Sequence, residues 1–305
     1  MPTGRFAPSP TGPLHVGNLR TAVLAWLFAR ADGSRYLVRI EDLDRVASRE
    51  AHVRSHLDDL AALGIESDGP VVRQSERFDR YDAALAALDV GGLLYPCYCT
   101  RREVQAAVAA PHGPLPEGAY PGTCRDLGPT ERAAREAGGR RPAWRVRAGG
   151  ERVEAMDRRH GLVTAVVDDF VVRRADGAPA YQLAVVVDDH DQGVGEVVRG
   201  DDLLDTTPRQ VWLARRLGLA VPAYAHVPLV LGPDGERLAK RHGAVTLTDL
   251  RRRGVPAPAV LGAMAASLGL ARPGSQVRSV TELVTTFDPE LLPAEPWRFS
   301  LLLLR

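Results

Sequence analysis

Apolar residues along the first ninety positions alternate between two periods. Leu19, Ala22, Val23, Trp26 and Leu27 follow three- and four-residue spacing, which predicts a helix over 17–30 burying one stripe. "TGRFAP" before it reads as a short strand. "SRYLVRIEDLD" after it alternates through Tyr36, Val38 and Ile40, the period of another strand. Ser48 is the expected N-cap of a helix that buries Val53, Leu57 and Leu60 and stops at Gly64. A third strand near Val71 and a helix over 75–88 complete the run. Strand alternating with helix implies parallel strands joined by crossovers, hence an α/β fold.

From about 95 to 160 the rhythm breaks. This segment carries all the cysteines, a short helix after Thr100, the stretch "PHGPLPEGAYPG" and a charged run. Two strand-like runs follow, "LVTAVVDD" and "PAYQLAVVVDD", joined by "RRADGAPA" as a β-turn connection. Thr207 is then expected to cap a helix with Pro208 in its first position and Gly218 at its end. "HVPLVLG" reads as one buried strand, and the last sixty or so residues as mostly helical, with "LRRRG" their only dense basic cluster. The expected units are 1–94 and 161–245 as two halves of one α/β domain, 95–160 as an insert, and 246–305 as a helical end.

Composition narrows the function classes. The 305 residues are 45% hydrophobic and 25% charged, and 39 basic against 38 acidic residues leave a net charge of +1, so any nucleic-acid contact must rest on local patches. The N-terminus lacks the basic and apolar regions of an export signal, and no apolar run approaches the ~20 residues of a membrane span, so a cytoplasmic protein with no membrane partner is expected. Three cysteines confined to 97–124 suit a metal site in a reducing compartment better than disulfides.

Two stretches carry phosphate chemistry. "FAPSPTGPLHVGN" places His15 and Asn18 where a Pro-stiffened turn becomes a helix, and Gly17 allows close backbone approach there. Helix N-termini at such turns present free N–H groups to anions, and a histidine can donate to a phosphate gaining charge. "GPDGERLAKRHG" crowds Arg237, Lys240 and Arg241 into a short loop that could neutralise a polyphosphate leaving group. Taken singly, each has an ordinary alternative: a capping histidine and a solvated surface turn.

Together they resemble the paired signatures of the class I aminoacyl-tRNA synthetases, "HVGN" standing for His-Ile-Gly-His and "RLAKR" for Lys-Met-Ser-Lys-Ser. "RFAPSPTGPLHVGNLRTA", "RIEDLD", "VVRGDDLLDTTPRQ" and "HVPLVLGPDGERLAKRHG", in that order, narrow the resemblance to the glutamyl branch, over residues 4–245. Asn18 replaces the second histidine, and Arg237 and Ala239 replace a lysine and a serine. The resemblance therefore assigns the phosphate role most directly to His15 and Lys240 as catalytic groups, with Gly17, Asn18 and Arg237 completing the ATP site. It implies a Rossmann-like parallel-sheet catalytic domain split by a zinc-binding insert, followed by a short helical stem-contact-like region.

Glutamate has two carboxylates and one ammonium, so its pocket needs cations and an anion in fixed places. The resemblance nominates Arg5, Phe6, Ala7, Pro8, Ser9, Glu41, Tyr181 and Arg199. Arg5 and Arg199 would grip carboxylates and Glu41 the ammonium, with no indication of which arginine takes the side-chain carboxylate. Cys97, Cys99 and Cys124 call for a fourth zinc ligand. Ligand chemistry alone nominates His112. The C-x-C then Y-x₃-C pattern, which resembles that of the shortened glutamyl-queuosine tRNA(Asp) synthetases, nominates Tyr120.

Only 64 residues follow Arg241, too few for the usual anticodon-binding region. That implies the shortened branch: Mg²⁺-ATP activation of L-glutamate by in-line displacement at the α-phosphorus, then transfer to queuosine in tRNA(Asp), by an enzyme expected to be a monomer. The alternative is a truncated glutamyl-tRNA synthetase charging an acceptor end.

Overall fold

The computed structural model describes residues 3–108, 119–243 and 245–304. In chain order these form β1 (Thr3–Phe6), α1 (Val16–Ala31), β2 (Arg35–Ile40), α2 (Glu50–Ala62), β3 (Val72–Arg73) and α3 (Phe78–Val90). The middle of the chain gives β4 (Leu94–Cys97), α4 (Arg101–Val108), α5 (Pro129–Ala137), β5 (Ala143–Val146), β6 (Glu151–Asp157), β7 (Gly161–Val167) and β8 (Val171–Arg173). Then come α6 (Tyr181–Asp191), β9 (Glu196–Gly200), α7 (Thr207–Arg216), β10 (Ala223–Val227), β11 (Val230–Leu231), α8 (Leu247–Arg252), α9 (Ala257–Ser267) and β12 (Trp297–Arg298), with short 3₁₀ turns between.

The strands place the site. β1 pairs in parallel with β2, and β2 with β3. On its other side β1 meets the approach to β9 through a parallel bridge, Thr3 to Val194, and the Gly195 N–H donates to the Thr3 carbonyl at 3.0 Å. β9 pairs in parallel with β10, β10 touches β6 in parallel, and β7 closes the edge as the antiparallel partner of β6. The spatial order is thus β3-β2-β1-β9-β10-β6-β7. The chain runs outward from β1, then returns to its opposite side at β9. Ligands in open parallel sheets bind at such a reversal, beyond the carboxyl ends of the two strands. β4, β5 and β8 form a separate antiparallel sheet whose first strand ends at Cys97.

α1 is buried on more than the single expected stripe. Leu19, Val23 and Leu27 join Leu24, Ala25 and Phe28 in one core with Met264, Leu283 and Phe287 from the C-terminal region. The Phe28 and Phe287 rings meet edge to face at 5.4 Å. A second core gathers Tyr81, Leu85, Val153, Leu183, Val187 and Trp212. Among the described residues no helix is long and apolar enough to cross a membrane.

Several expectations are corrected. "PAYQLAVVVDD" is a helix rather than a strand: residues 183–189 of α6 are all buried, so no polar face marks the helical period. The turn before it is real, but it joins β8 to that helix. The cap of α2 is Arg49, one residue beyond Ser48, because the Arg49 N–H is drawn onto the Pro10 carbonyl at 3.0 Å, and the Ser48 hydroxyl is buried without a partner. The helix expected over 75–88 begins as a 3₁₀ turn, Gln74–Glu76, and becomes α-helical only at Phe78. Thr207 is the first residue of α7 rather than its cap, which is Thr206. "HVPLVLG" is two strands, β10 and β11, broken at Pro228, which has no N–H for a ladder. β12 then pairs in parallel with β11, fixing the C-terminal region beside the cationic loop.

β1 and α1 touch through Gly4, where an added Cβ would lie 2.8 Å from the Ala29 Cβ. Gly4→Val should therefore destabilise the protein by about 1–3 kcal/mol through overpacking. The check is a lower urea midpoint with an unchanged slope.

Candidate functional site

A cleft of about 700 Å³ opens at the reversal between β1 and β9. It is lined by all eight residues expected for the amino acid, Arg5, Phe6, Ala7, Pro8, Ser9, Glu41, Tyr181 and Arg199, and by His15, Gly17, Asn18 and Arg237. Lys240 opens the 3₁₀ turn Lys240–His242, and its side chain lies outside the described ones.

The Pro-rich turn is fastened from several sides. The His56 Nε2–H donates to the Gly12 carbonyl at 2.7 Å, the Glu41 N–H to Pro8 at 3.0 Å, and the Val16 N–H to Val245 at 2.8 Å. His15 is the N-cap of α1 in a reciprocal pair: its Nδ1 accepts the Asn18 N–H at 3.2 Å, and the Asn18 Oδ1 accepts the His15 N–H at 3.1 Å. Asparagine thus acts as a capping residue where the family signature has histidine. Burial, then the field of Arg237, lower the His15 pKa, so the ring is neutral. With Nδ1 accepting, the proton sits on Nε2, which leaves one donor (Nε2–H) uncommitted. Gly17 makes room for this ring: a Cβ there would lie 2.9 Å from His15 Cε1 and 3.3 Å from Val230 Cβ.

The two arginines of the other half differ sharply. Arg5 holds Asp189 with both arms of its fork, Nε to Oδ1 at 3.1 Å and Nη2 to Oδ2 at 3.4 Å. Arg39, fully buried, binds the same carboxylate at 2.8 Å and lies 3.5 Å from Glu41. Burial alone would push the Asp189 carboxyl up, but Arg5 and Arg39 outweigh it and hold it below its usual range. Glu41 goes the other way, pushed up to about 7 by burial that Arg39 and Arg5 offset only in part.

Arg199, 5% exposed, has neutral acceptors instead. Its Nε donates to His226 Nε2 at 2.9 Å, Nη1 to Gln210 Oε1 at 2.8 Å and Nη2 to Thr207 Oγ1 at 2.9 Å. Behind it, Asp157 Oδ2 accepts from His226 Nδ1 at 2.7 Å. A buried guanidinium without a carboxylate is a strong site for one. At the cleft mouth Tyr181 is 38% exposed, and Arg237 pairs with Asp202 at 2.8 Å.

The sequence reading missed Asp157, Asp188, Asp189, His226, Thr207 and Gln210 as members of this region. A usable signal existed for one. Val153, Ala155 and Asp157 share the buried parity of β6, so a carboxylate stands where the alternation calls for an apolar residue.

Cys97, Cys99 and Cys124 converge, their sulfurs within 4.8 Å of one another. The Tyr120 hydroxyl joins them, 3.3 Å from Cys97 Sγ and 3.6 Å from Cys99 Sγ, and accepts the Cys124 N–H at 2.9 Å. Burial pushes the Cys99 thiol up to about 12 and the Tyr120 phenol further. Three thiols and a phenol at one point form a donor set that a tetrahedral soft cation fits. The alternative ligand His112 lies outside the described residues.

Residues 3–303 match the family model of class I tRNA synthetases (E and Q), catalytic domain. A glutamyl-Q tRNA(Asp) synthetase from Nocardia farcinica is 60% identical, over 96% of this chain and 92% of its own. One from Symbiobacterium thermophilum is 51% identical, over 98% and 96%. Among solved structures, a glutamate tRNA ligase from Elizabethkingia meningosepticum in complex with its amino acid superposes with a TM-score of 0.83 at 26% identity, over 99% of this chain and 68% of that one.

Glu41 gives a pH test. Its folded pKa of about 7 exceeds the ordinary carboxyl value of 4.5, so the folded protein holds this proton longer than the unfolded chain, and stability from this group falls as pH rises through that window. Glu41→Gln should raise the melting temperature of the ligand-free protein at pH 8 and change it little at pH 5. An equal effect at both values would remove Glu41 as the cause.

Proposed function

The chain belongs to the class I tRNA synthetases of the E and Q type, a ligase family, and from that premise we propose that it activates L-glutamate with ATP and passes the glutamyl group to queuosine in the anticodon loop of tRNA(Asp). The observation that carries the amino-acid assignment is the buried Arg199 guanidinium, which lines the cleft and is bonded only to neutral acceptors. It supplies the cation for the side-chain carboxylate, while Arg5 is committed to Asp189 through Nε and Nη2 and reaches the Val198 carbonyl through Nη1 at 3.5 Å. Glu41 takes the ammonium, and a bound cation there would return its carboxyl to the ionised form. The names of the relatives support the queuosine acceptor.

In the first step an oxygen of the glutamate α-carboxylate attacks the α-phosphorus of ATP, and pyrophosphate leaves. The His15 Nε2–H donates to the α-phosphate oxygen that gains charge, held in place by its Nδ1 bond to Asn18. Lys240 and Arg237 serve the leaving polyphosphate, Arg237 exchanging Asp202 for it. Mg²⁺, when bound with ATP, would neutralise phosphate charge. In the second step a hydroxyl of the queuosine cyclopentenediol attacks the mixed anhydride, and AMP leaves. Cys97, Cys99, Tyr120 and Cys124 would hold a structural Zn²⁺ that ties the end of β4 to the segment at 120–124. The same reading keeps 1–94 and 161–245 as the catalytic halves, 95–160 as the insert and 246–305 as the stem-contact region, in a cytoplasmic monomer.

Labelled glutamate should transfer to tRNA(Asp) carrying queuosine and not to tRNA lacking it, and periodate cleavage of the cis-diol should abolish transfer. Charging of an acceptor end would replace this reading with that of a truncated glutamyl-tRNA synthetase. Pyrophosphate exchange should run on glutamate and ATP without tRNA, and Lys240→Ala should slow it by about 100-fold. Arg199→Gln should erode the preference for glutamate over glutamine, about 100-fold or more in the intact enzyme, more than it raises the Michaelis constant for ATP. Freshly purified protein should contain about one zinc per chain, retained less well after Cys124→Ser and after Tyr120→Phe. Tyr120→Phe with unchanged retention would return the fourth position to His112.

A further inference from the structure

We propose that Asp157 and His226 are positioning residues for Arg199, holding it aimed at the substrate carboxylate through a fixed imidazole tautomer. The inference deepens the glutamate reading above and rests on it.

The hydrogen-bond inventory around the ring leaves one arrangement. Asp157 is 2% exposed, and both its oxygens accept: Oδ1 from the Arg159 and His160 N–H groups, each at 2.9 Å, and Oδ2 from the His226 N–H at 3.1 Å and from the ring Nδ1 at 2.7 Å. A carboxylate only accepts, so His226 Nδ1 must donate. The other ring nitrogen faces Arg199 Nε at 2.9 Å, and arginine only donates, so Nε2 must accept. The Thr207 hydroxyl, 3.2 Å from Nε2, is compatible with this because it accepts from Arg199 Nη2. The ring is therefore neutral and in one tautomer, stacked on Tyr224 at 6.1 Å. Burial and Arg199 favour the same neutral form against the pull of Asp157.

What the relay supplies is a cation that is oriented without being neutralised at its own position. Arg5 shows the alternative, a guanidinium whose fork is filled by a carboxylate. Had Asp157 met Arg199 directly, a substrate carboxylate would compete with it for the same donors. The interposed imidazole keeps the anion one ring away while taking up Nε, and Gln210 and Thr207 fix the other two nitrogens. The guanidinium plane is set by four acceptors, the Leu203 carbonyl being the fourth, none of them charged.

Two measurements test this. Selective ¹⁵N-histidine labelling, with the His226 signals assigned by their loss in His226→Gln, should show Nδ1 protonated and Nε2 bare in the wild-type protein. An Nε2–H tautomer would overturn the proposal whatever the substrate is. In glutamate-dependent pyrophosphate exchange, His226→Leu should raise the Michaelis constant for glutamate by about 10–100-fold, the scale of one charge-assisted hydrogen bond, with that for ATP little changed. His226→Gln can both donate to Asp157 and accept from Arg199, so it should restore most of that loss. Equal damage to both Michaelis constants in His226→Leu, or no recovery in His226→Gln while its melting temperature matches the wild type, would reduce the pair to ordinary core. If wild-type protein shows no exchange with glutamate, the functional reading fails, and the tautomer measurement still decides the relay.

Discussion

Asp189 lies between two buried guanidiniums, with Arg5 at 3.1 Å and Arg39 at 2.8 Å, and the site is built around that carboxylate. Its neighbour Asp188 takes Arg77 at 2.7 Å, the Gln74 amide at 2.8 Å and the Tyr81 hydroxyl at 2.9 Å. Buried charges are tolerated only when the whole set is paired and hydrogen-bonded, and removing one member leaves the others exposed to the full desolvation cost. The network therefore behaves as a unit. It fastens the last turns of α6 to β1, to β2 and to the 3₁₀ turn before α3. The first residue of the same helix is Tyr181, so the clamp at one end sets the position of the cleft wall at the other. It also commits Arg5 and leaves Arg199 as the cation without a carboxylate. One ion-pair cluster thus decides both the shape of the pocket and which of its arginines is electrostatically available.

That cluster explains what could and could not be read from the sequence. The turn at 6–18, the strand before it and the helix after it were legible because the turn chemistry and the apolar spacing agree with the fold. Glu41 at the end of β2 and Tyr120 beside the thiols at 97–124 were nominated by the family resemblance rather than by any local pattern. The helix carrying Asp188 and Asp189 was misread because it is buried all round. A five-residue apolar run such as Leu183–Val187 has no period with which to choose between strand and helix. The partners of Arg199 were invisible for a different reason. Asp157 and His226 lie 69 positions apart and meet only because β6 and β10 pair at Tyr224 and Asp157, a register no local pattern specifies. Thr207 was noticed as a cap, but its hydroxyl serves the arginine instead.

The two ends of the cleft are held with different firmness, and the difference suits their tasks. Arg199 and Arg5 are nearly inaccessible and each is fixed by three or more contacts, so the amino-acid half is assembled before any ligand arrives. Arg237, on the cationic loop, is different: its side chain is 67% exposed and is held by Asp202, itself at the surface. An exposed ion pair of this kind contributes about 0–1 kcal/mol, so exchanging it for a polyphosphate costs little. Selectivity requires a cation that does not move when the wrong amino acid enters. Leaving-group stabilisation requires one that moves to where charge develops. The fold separates them by strand: the fixed cation stands on β9, inside the sheet, and the exposed one follows β11, which pairs with β12 in a separate two-stranded sheet. His15 stands between the two, its Nδ1 tied to the start of α1 and its Nε2–H uncommitted, so in the proposed reaction the donor offered to the α-phosphate belongs to the firmly held half of the cleft.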